Sequence, residues 1–141
     1  MSISYSAFVK EFPSTTDLQQ YINQAKLAIT LLKSIEVSDY RGFIPMRLAS
    51  DKAGVEIYLD DFDPTLFTEI TSPLGDRKKI ITFSFGGEAS TACCAFGLAA
   101  ALAKFGDALI YGDGFLTYEQ ITANGRALRL NRRLYSRAWT W

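Results

Sequence analysis

Two different apolar periods run along this chain. From Thr16 onward, Leu18, Ile22, Ala25, Ile29 and Leu32 recur at alternating steps of four and three, with Tyr21 and Ala28 beside them. Gln19, Gln20, Asn23, Gln24, Lys26, Thr30 and Lys33 take most of the other positions. This spacing predicts an amphipathic helix of roughly five turns, opened by a Thr16/Gln19 capping box, with its apolar stripe packed on a sheet. Elsewhere the period is two. Val55, Ile57 and Leu59 alternate with Glu56, Tyr58 and Asp60, the signature of a half-buried strand. Shorter strands are expected at Ser2 to Val9, with Ile3, Tyr5 and Ala7 on one face, at Phe43 to Leu48, and at Asp107 to Tyr111. Lys79 to Phe85 reads as another, ended by Gly86-Gly87.

Glu88 to Phe105 consists almost wholly of Ala, Cys, Leu, Phe and Gly, so it predicts an interior helix lying flat against a sheet. Pro64, Pro73 and Gly75 mark a loop region, interrupted by a turn of helix near Thr65 to Glu69. Thr117 and Gln120 offer a capping box for a short helix ending near Asn124-Gly125. No stretch has the composition of a linker and no repeat is visible. The expectation is one α+β domain over residues 1–141: a mixed or mainly antiparallel sheet of about four to five strands, with two long helices packed on it. Lys79 to Tyr111 has the layout of a βαβ unit.

Charge and composition then narrow the chemistry. Lys+Arg and Asp+Glu balance at 15 each, so no net charge draws the chain to nucleic acid or to an anionic membrane. There is no histidine, which removes Ser-His-Asp and Cys-His catalysis and His-ligated zinc within this chain. Cys93 and Cys94 are adjacent, and Cα atoms about 3.8 Å apart are too close for an unstrained disulfide. Set among alanines, they read as small core hydrophobes in a reducing compartment. Met1 to Lys10 lacks the pattern of a secretory leader, and the apolar run Ala92 to Ala103 is too short to span a bilayer. The expected location is the cytoplasm, with no membrane partner, no metal and no cofactor.

Four features bear on function. Phe85-Gly-Gly-Glu-Ala-Ser90 has the shape of a strand-to-helix phosphate turn, but it lacks a P-loop Lys and a complete dinucleotide fingerprint, and Glu88 stands where an anion would sit. Asp61-Phe-Asp63, and Asp107 with Asp113, are the carboxylate pairs on which a small hydrolase or transferase would depend. Arg126, Arg129, Arg132, Arg133 and Arg137, interleaved with Tyr135, Trp139 and Trp141, offer a nucleic-acid grip. Five arginines on a neutral domain are a thin basis for it, so nucleic acid is disfavoured as a partner. The fourth is the acidic segment. Glu56, Tyr58, Asp60, Asp61, Phe62, Asp63 and Glu69 combine carboxylates with two aromatic anchors, a composition suited to docking a basic protein.

The run Ile80-Ile-Thr-Phe-Ser-Phe-Gly-Gly-Glu88, the helix end Ala99-Ala-Ala-Leu-Ala-Lys104 and Gly106-Asp-Ala-Leu-Ile-Tyr111 resemble the C-terminal half of small bacterial immunity proteins associated with polymorphic toxins. The resemblance covers about 35 residues and concerns packing, so it carries over no functional residue. It implies a non-enzymatic protein that binds and occludes one cognate toxin. A basic-cleft nuclease is the best match to an acidic surface. A homodimer remains open as an arrangement.

Overall fold

A computed structural model describes residues 3–62, 74–86, 88–112 and 114–123. Seven strands form one sheet: β1 (Ile3–Val9), β2 (Ile29–Leu31), β3 (Gly42–Leu48), β4 (Asp51–Asp61), β5 (Lys79–Phe85), β6 (Leu109–Tyr111) and β7 (Phe115–Leu116). Their spatial order is β2-β3-β4-β5-β1-β6-β7, and every neighbouring pair is antiparallel. The fold is thus α+β with a wider sheet than the four to five strands expected. The N-terminal strand lies deep within it, paired over seven residues with β5 on one side and with β6 on the other. Because β5 and β6 both oppose β1, they run in the same direction. The expected βαβ unit is therefore present in split form, with β1 inserted between its parallel strands.

The helix joining them, α2 (Ala89–Phe105), is the interior helix its composition predicted. Cys93, Cys94, Ala95, Leu98, Ala99, Ala100 and Ala101 are fully buried. One flank lies on β1, β4, β5 and β6, and the other meets the first helix, α1 (Thr15–Gln24). Gly97 is required by the closeness of this packing, since a Cβ there would stand 2.5 Å from Ile29 Cδ1. Residues 118–123 form a further helical turn. Its start is the predicted capping box: Thr117 N donates to Gln120 Oε1 at 2.8 Å and Gln120 N to Thr117 Oγ1 at 3.2 Å. No helix among the described residues is long and apolar enough to cross a membrane.

The five-turn helix is corrected. α1 has ten residues, and its N-cap is Ser14, whose Oγ accepts from Asp17 N at 3.1 Å, rather than Thr16. It ends at Ala25, where Lys26 adopts the left-handed region (φ 58°). Leu27 N then donates to Ile22 O and Lys26 N to Asn23 O, the paired bonds of a Schellman motif. Ile29–Leu31 is a strand. The ambiguity is physical: Ile29 belongs both to the helical series from Leu18 and to the period-two series Leu27, Ile29, Leu31, and burial follows the second. Gln19, expected in a cap, instead serves the strand. Its Oε1 accepts from Leu31 N at 2.7 Å and its Nε2 donates to Ile29 O at 3.1 Å, completing the outer edge of β2 from the helix side.

A second latch holds the start of α1. Thr15 Oγ1 donates to Ile35 O and accepts from Val37 N, while Glu36 Oε1 accepts from Thr15 N at 2.9 Å. That backbone hydrogen bond from Thr15 is the main cause holding the Glu36 carboxyl below its ordinary 4.5, with Ser38 assisting. A depressed carboxyl contributes stability above the unfolded value, and the contribution is lost as pH falls through the folded one. Glu36→Gln is accordingly expected to flatten the acid limb of a stability-against-pH curve below about pH 4.5, measured by urea denaturation. Gln19→Ala, removing two part-buried hydrogen bonds, is expected to cost about 1–3 kcal/mol in the same assay. A variant as stable as the parent would show that β2 does not depend on α1.

Candidate docking face

The sheet has an inner face under the helices and an outer face whose residues follow from register. On β1, Tyr5, Ala7 and Val9 point into the main core and Ser4, Ser6 and Phe8 point outward. On β5, Ile81, Phe83 and Phe85 point inward and Ile80, Thr82 and Ser84 outward. On β4, Val55, Ile57 and Leu59 are buried, leaving Glu56, Tyr58 and Asp60 exposed as their alternation predicts.

Pairing lines these outward residues up in rows. Tyr58, Thr82, Ser6, Tyr111 and Phe115 form one row across five strands, about 19 Å at the usual strand spacing. Phe43, Glu56, Ser84 and Ser4 form the next. The row of Asp60, Ile80, Phe8 and Leu109 borders them, and Phe62 and Leu74 pack on Phe8 to build a small second core there. Among the described residues, the exposed large hydrophobics are Phe43 (52 %), Tyr58 (39 %) and Phe115 (37 %), and all three lie on this outer face.

Of the predicted docking residues, Glu56, Tyr58 and Asp60 are brought together here. The Tyr58 hydroxyl donates to Glu56 Oε2 at 3.0 Å, and this bond to a carboxylate raises the phenol above its ordinary value. Asp61 is exposed at the strand end, opposite Lys79, whose Nζ donates to Asp61 Oδ1 at 2.9 Å. That hydrogen bond lowers the Asp61 carboxyl, so part of the acidic charge is neutralised within the molecule. Phe62 is a correction. It is not an exposed anchor but 7 % exposed, edge-on to Phe8 at 4.9 Å between ring centroids. A ring beside charged residues reads as exposed in sequence, whereas the outward Phe8 gives it an apolar surface to cover. Asp63 and Glu69 lie outside the described residues.

Phe43 and Phe115 take the place of Phe62 as exposed rings. The signal for Phe43 was present, because Ile44, Met46 and Leu48 alternate with Phe43, Pro45 and Arg47. Phe115 gave little, as a two-residue strand has no readable period. The Phe43 ring lies over Gly54, where a Cβ would come within 2.4 Å of it, so the glycine makes room for the aromatic.

The other sequence candidates fall elsewhere. Asp107, in the left-handed region (φ 53°), is clamped by Arg77: Nη2 reaches its Oδ1 at 2.8 Å and Nε its backbone oxygen at 3.0 Å. Lys10 adds an ion pair at 3.5 Å. This is a turn held by charge, while Asp113, its supposed partner, lies outside the described residues, as do the helical turn at Thr65–Glu69 and the arginine-rich tail. Among the described residues no group of three or more His, Cys, Asp or Glu is arranged to hold a metal. Cys93 and Cys94 are free and buried. Burial is the main reason the Cys94 thiol is pushed up to about 12, with the neighbouring Cys93 adding to it and a hydrogen bond from the Gly54 backbone opposing. No family model, no curated protein and no solved structure matches this chain.

The thiol environment is testable. Cys94 in the native protein is expected to resist iodoacetamide at pH 8 and to react fully once urea unfolds the chain. Native labelling at the rate of a free thiol would contradict its burial. Because the unfolded thiol ionises near 9.0 and the folded one near 12, this group lowers stability as pH rises across that interval.

Proposed function

We propose that this chain is a binding protein that docks a partner protein on the outer face of its sheet. The observation that carries the reading is the gathering of Phe43, Tyr58 and Phe115 on that one face. Rings on a rigid sheet offer large contact area at low entropic cost, and the intervening Ser4, Ser6, Thr82 and Ser84 supply adaptable hydrogen bonding. Glu56 and Asp60 beside the rings favour a partner with a basic surface, since complementary potential speeds encounter and excludes acidic competitors. The most concrete form of this reading is an immunity protein that occludes the basic cleft of a cognate toxin, with nucleases as the favoured toxin class. Support for that finer step is the resemblance in the C-terminal half together with the acidic edge of the face.

The face is tested with Tyr58→Ala, Phe115→Ala and Asp60→Lys, all at exposed positions. A basic protein captured stoichiometrically by the parent chain is expected to bind each variant at least about tenfold more weakly by calorimetry, the scale of a central interface residue. Thermal melting should be little changed. Full affinity in all three variants would remove the outer face from consideration.

A further inference from the structure

A separate feature lies where the sheet is incomplete. β4 begins five residues before its pairing with β5 starts at Glu56, so Asp51 to Gly54 extend beyond the end of β5. A cleft of about 480 Å³ opens there, bounded by the β3–β4 hairpin, the segment after β2 and the first turn of α2. Its volume falls in the ordinary range for small-molecule sites. Leu32, Phe43 and Pro45 give it an apolar lining, Phe43 being shared with the docking face.

Its cations are placed unusually. Arg47 and Lys52 both line the cleft and are direct cross-strand partners, an arrangement in which like charges repel. Arg47 Nη1 donates to Ser50 O at 3.3 Å, but among the described residues no carboxylate pairs with either side chain. Ser90 and Thr91 contribute hydroxyls from α2. Glu88 is the one carboxylate in the lining. Two cations and one anion leave a single net positive charge. That matches one negative head better than a phosphate dianion, which Glu88 would repel.

We infer that this cleft is a binding site for a small organic monocarboxylate with an apolar body. The carboxylate sits between Arg47 and Lys52, relieving their repulsion through charge-assisted hydrogen bonds. The body lies along Leu32, Phe43 and Pro45. The site borders the docking face through Phe43 but includes neither Tyr58 nor Phe115, and it does not rest on that reading.

Three probes separate the contributions: octanoate, its neutral isostere octanamide, and inorganic phosphate, each titrated while amide NMR shifts of Gly54 and Thr91 are followed. Octanoate is expected to give saturable shifts at both amides, with octanamide and phosphate each at least about tenfold weaker, the loss of one charge-assisted contact or of the apolar contact. The exposed double variant Arg47→Gln/Lys52→Gln should bind octanoate no better than octanamide. Lys52→Arg should retain octanoate, and Asp60→Lys, which tests the docking face, should leave it unchanged. Absence of saturable shifts, equal affinity for octanamide, equal affinity for phosphate, or undiminished binding by the double variant would each overturn the assignment.

Discussion

The architecture depends on burying one helix nearly all round. From Ala92 to Ala103, α2 is built from alanine, cysteine, glycine and a few larger apolar residues, so this stretch has no polar flank to leave in water. Small side chains let it lie close against the sheet, and the sheet beneath it must be broad enough to cover its length. The opposite flank needs a second cover, which α1 and the segment through Ile29 provide. The latches of Gln19 on β2 and of Thr15 on the turn at Ile35 to Val37 keep that cover in place.

Putting both helices on the inner side has a consequence for the other side. A sheet has two faces, and the outer one here is covered in part, by Phe62 and Leu74 over Phe8. The rest presents aromatic rings separated by small hydroxyl side chains. Such a surface is rigid, because its residues belong to a seven-stranded ladder whose inward neighbours are locked in the core. On the docking face proposed above, that rigidity would lower the entropic cost of association, and the flanking carboxylates would favour a basic surface. Activated nucleophiles are not evident among the described residues: both thiols are buried, and Asp61 and Asp107 are engaged by Lys79 and Arg77.

The β3–β4 hairpin and the N-terminus of α2 meet with the sheet edge unfilled between them. β5 stops at Phe85 because the chain must turn into α2 there, while β4 continues outward to pair with β3. Cys94 lies buried beneath this region, with the Gly54 backbone hydrogen-bonding toward its sulfur. What stays open is lined by apolar side chains together with Arg47 and Lys52.

Strongly periodic segments declared themselves from sequence alone. The alternation of Val55 to Asp60 placed Glu56, Tyr58 and Asp60 on a solvent face, and the apolar composition of Glu88 to Phe105 placed α2 in the interior, because each pattern admits one way of hiding its hydrophobic atoms. The capping box at Thr117 was legible for the same reason: its bonds are local. Where two periods shared a residue, as at Ile29, the chain was ambiguous, and long-range bonds from Gln19 and the partner strand β3 decided for strand. The fate of Phe62 depended on Phe8, more than fifty residues away in the chain. The gathering of Phe43, Tyr58 and Phe115, and the facing of Arg47 by Lys52, likewise arise from register between strands. Sequence patterns determine which side of its own element a residue takes; only the pairing of elements decides which residues become neighbours.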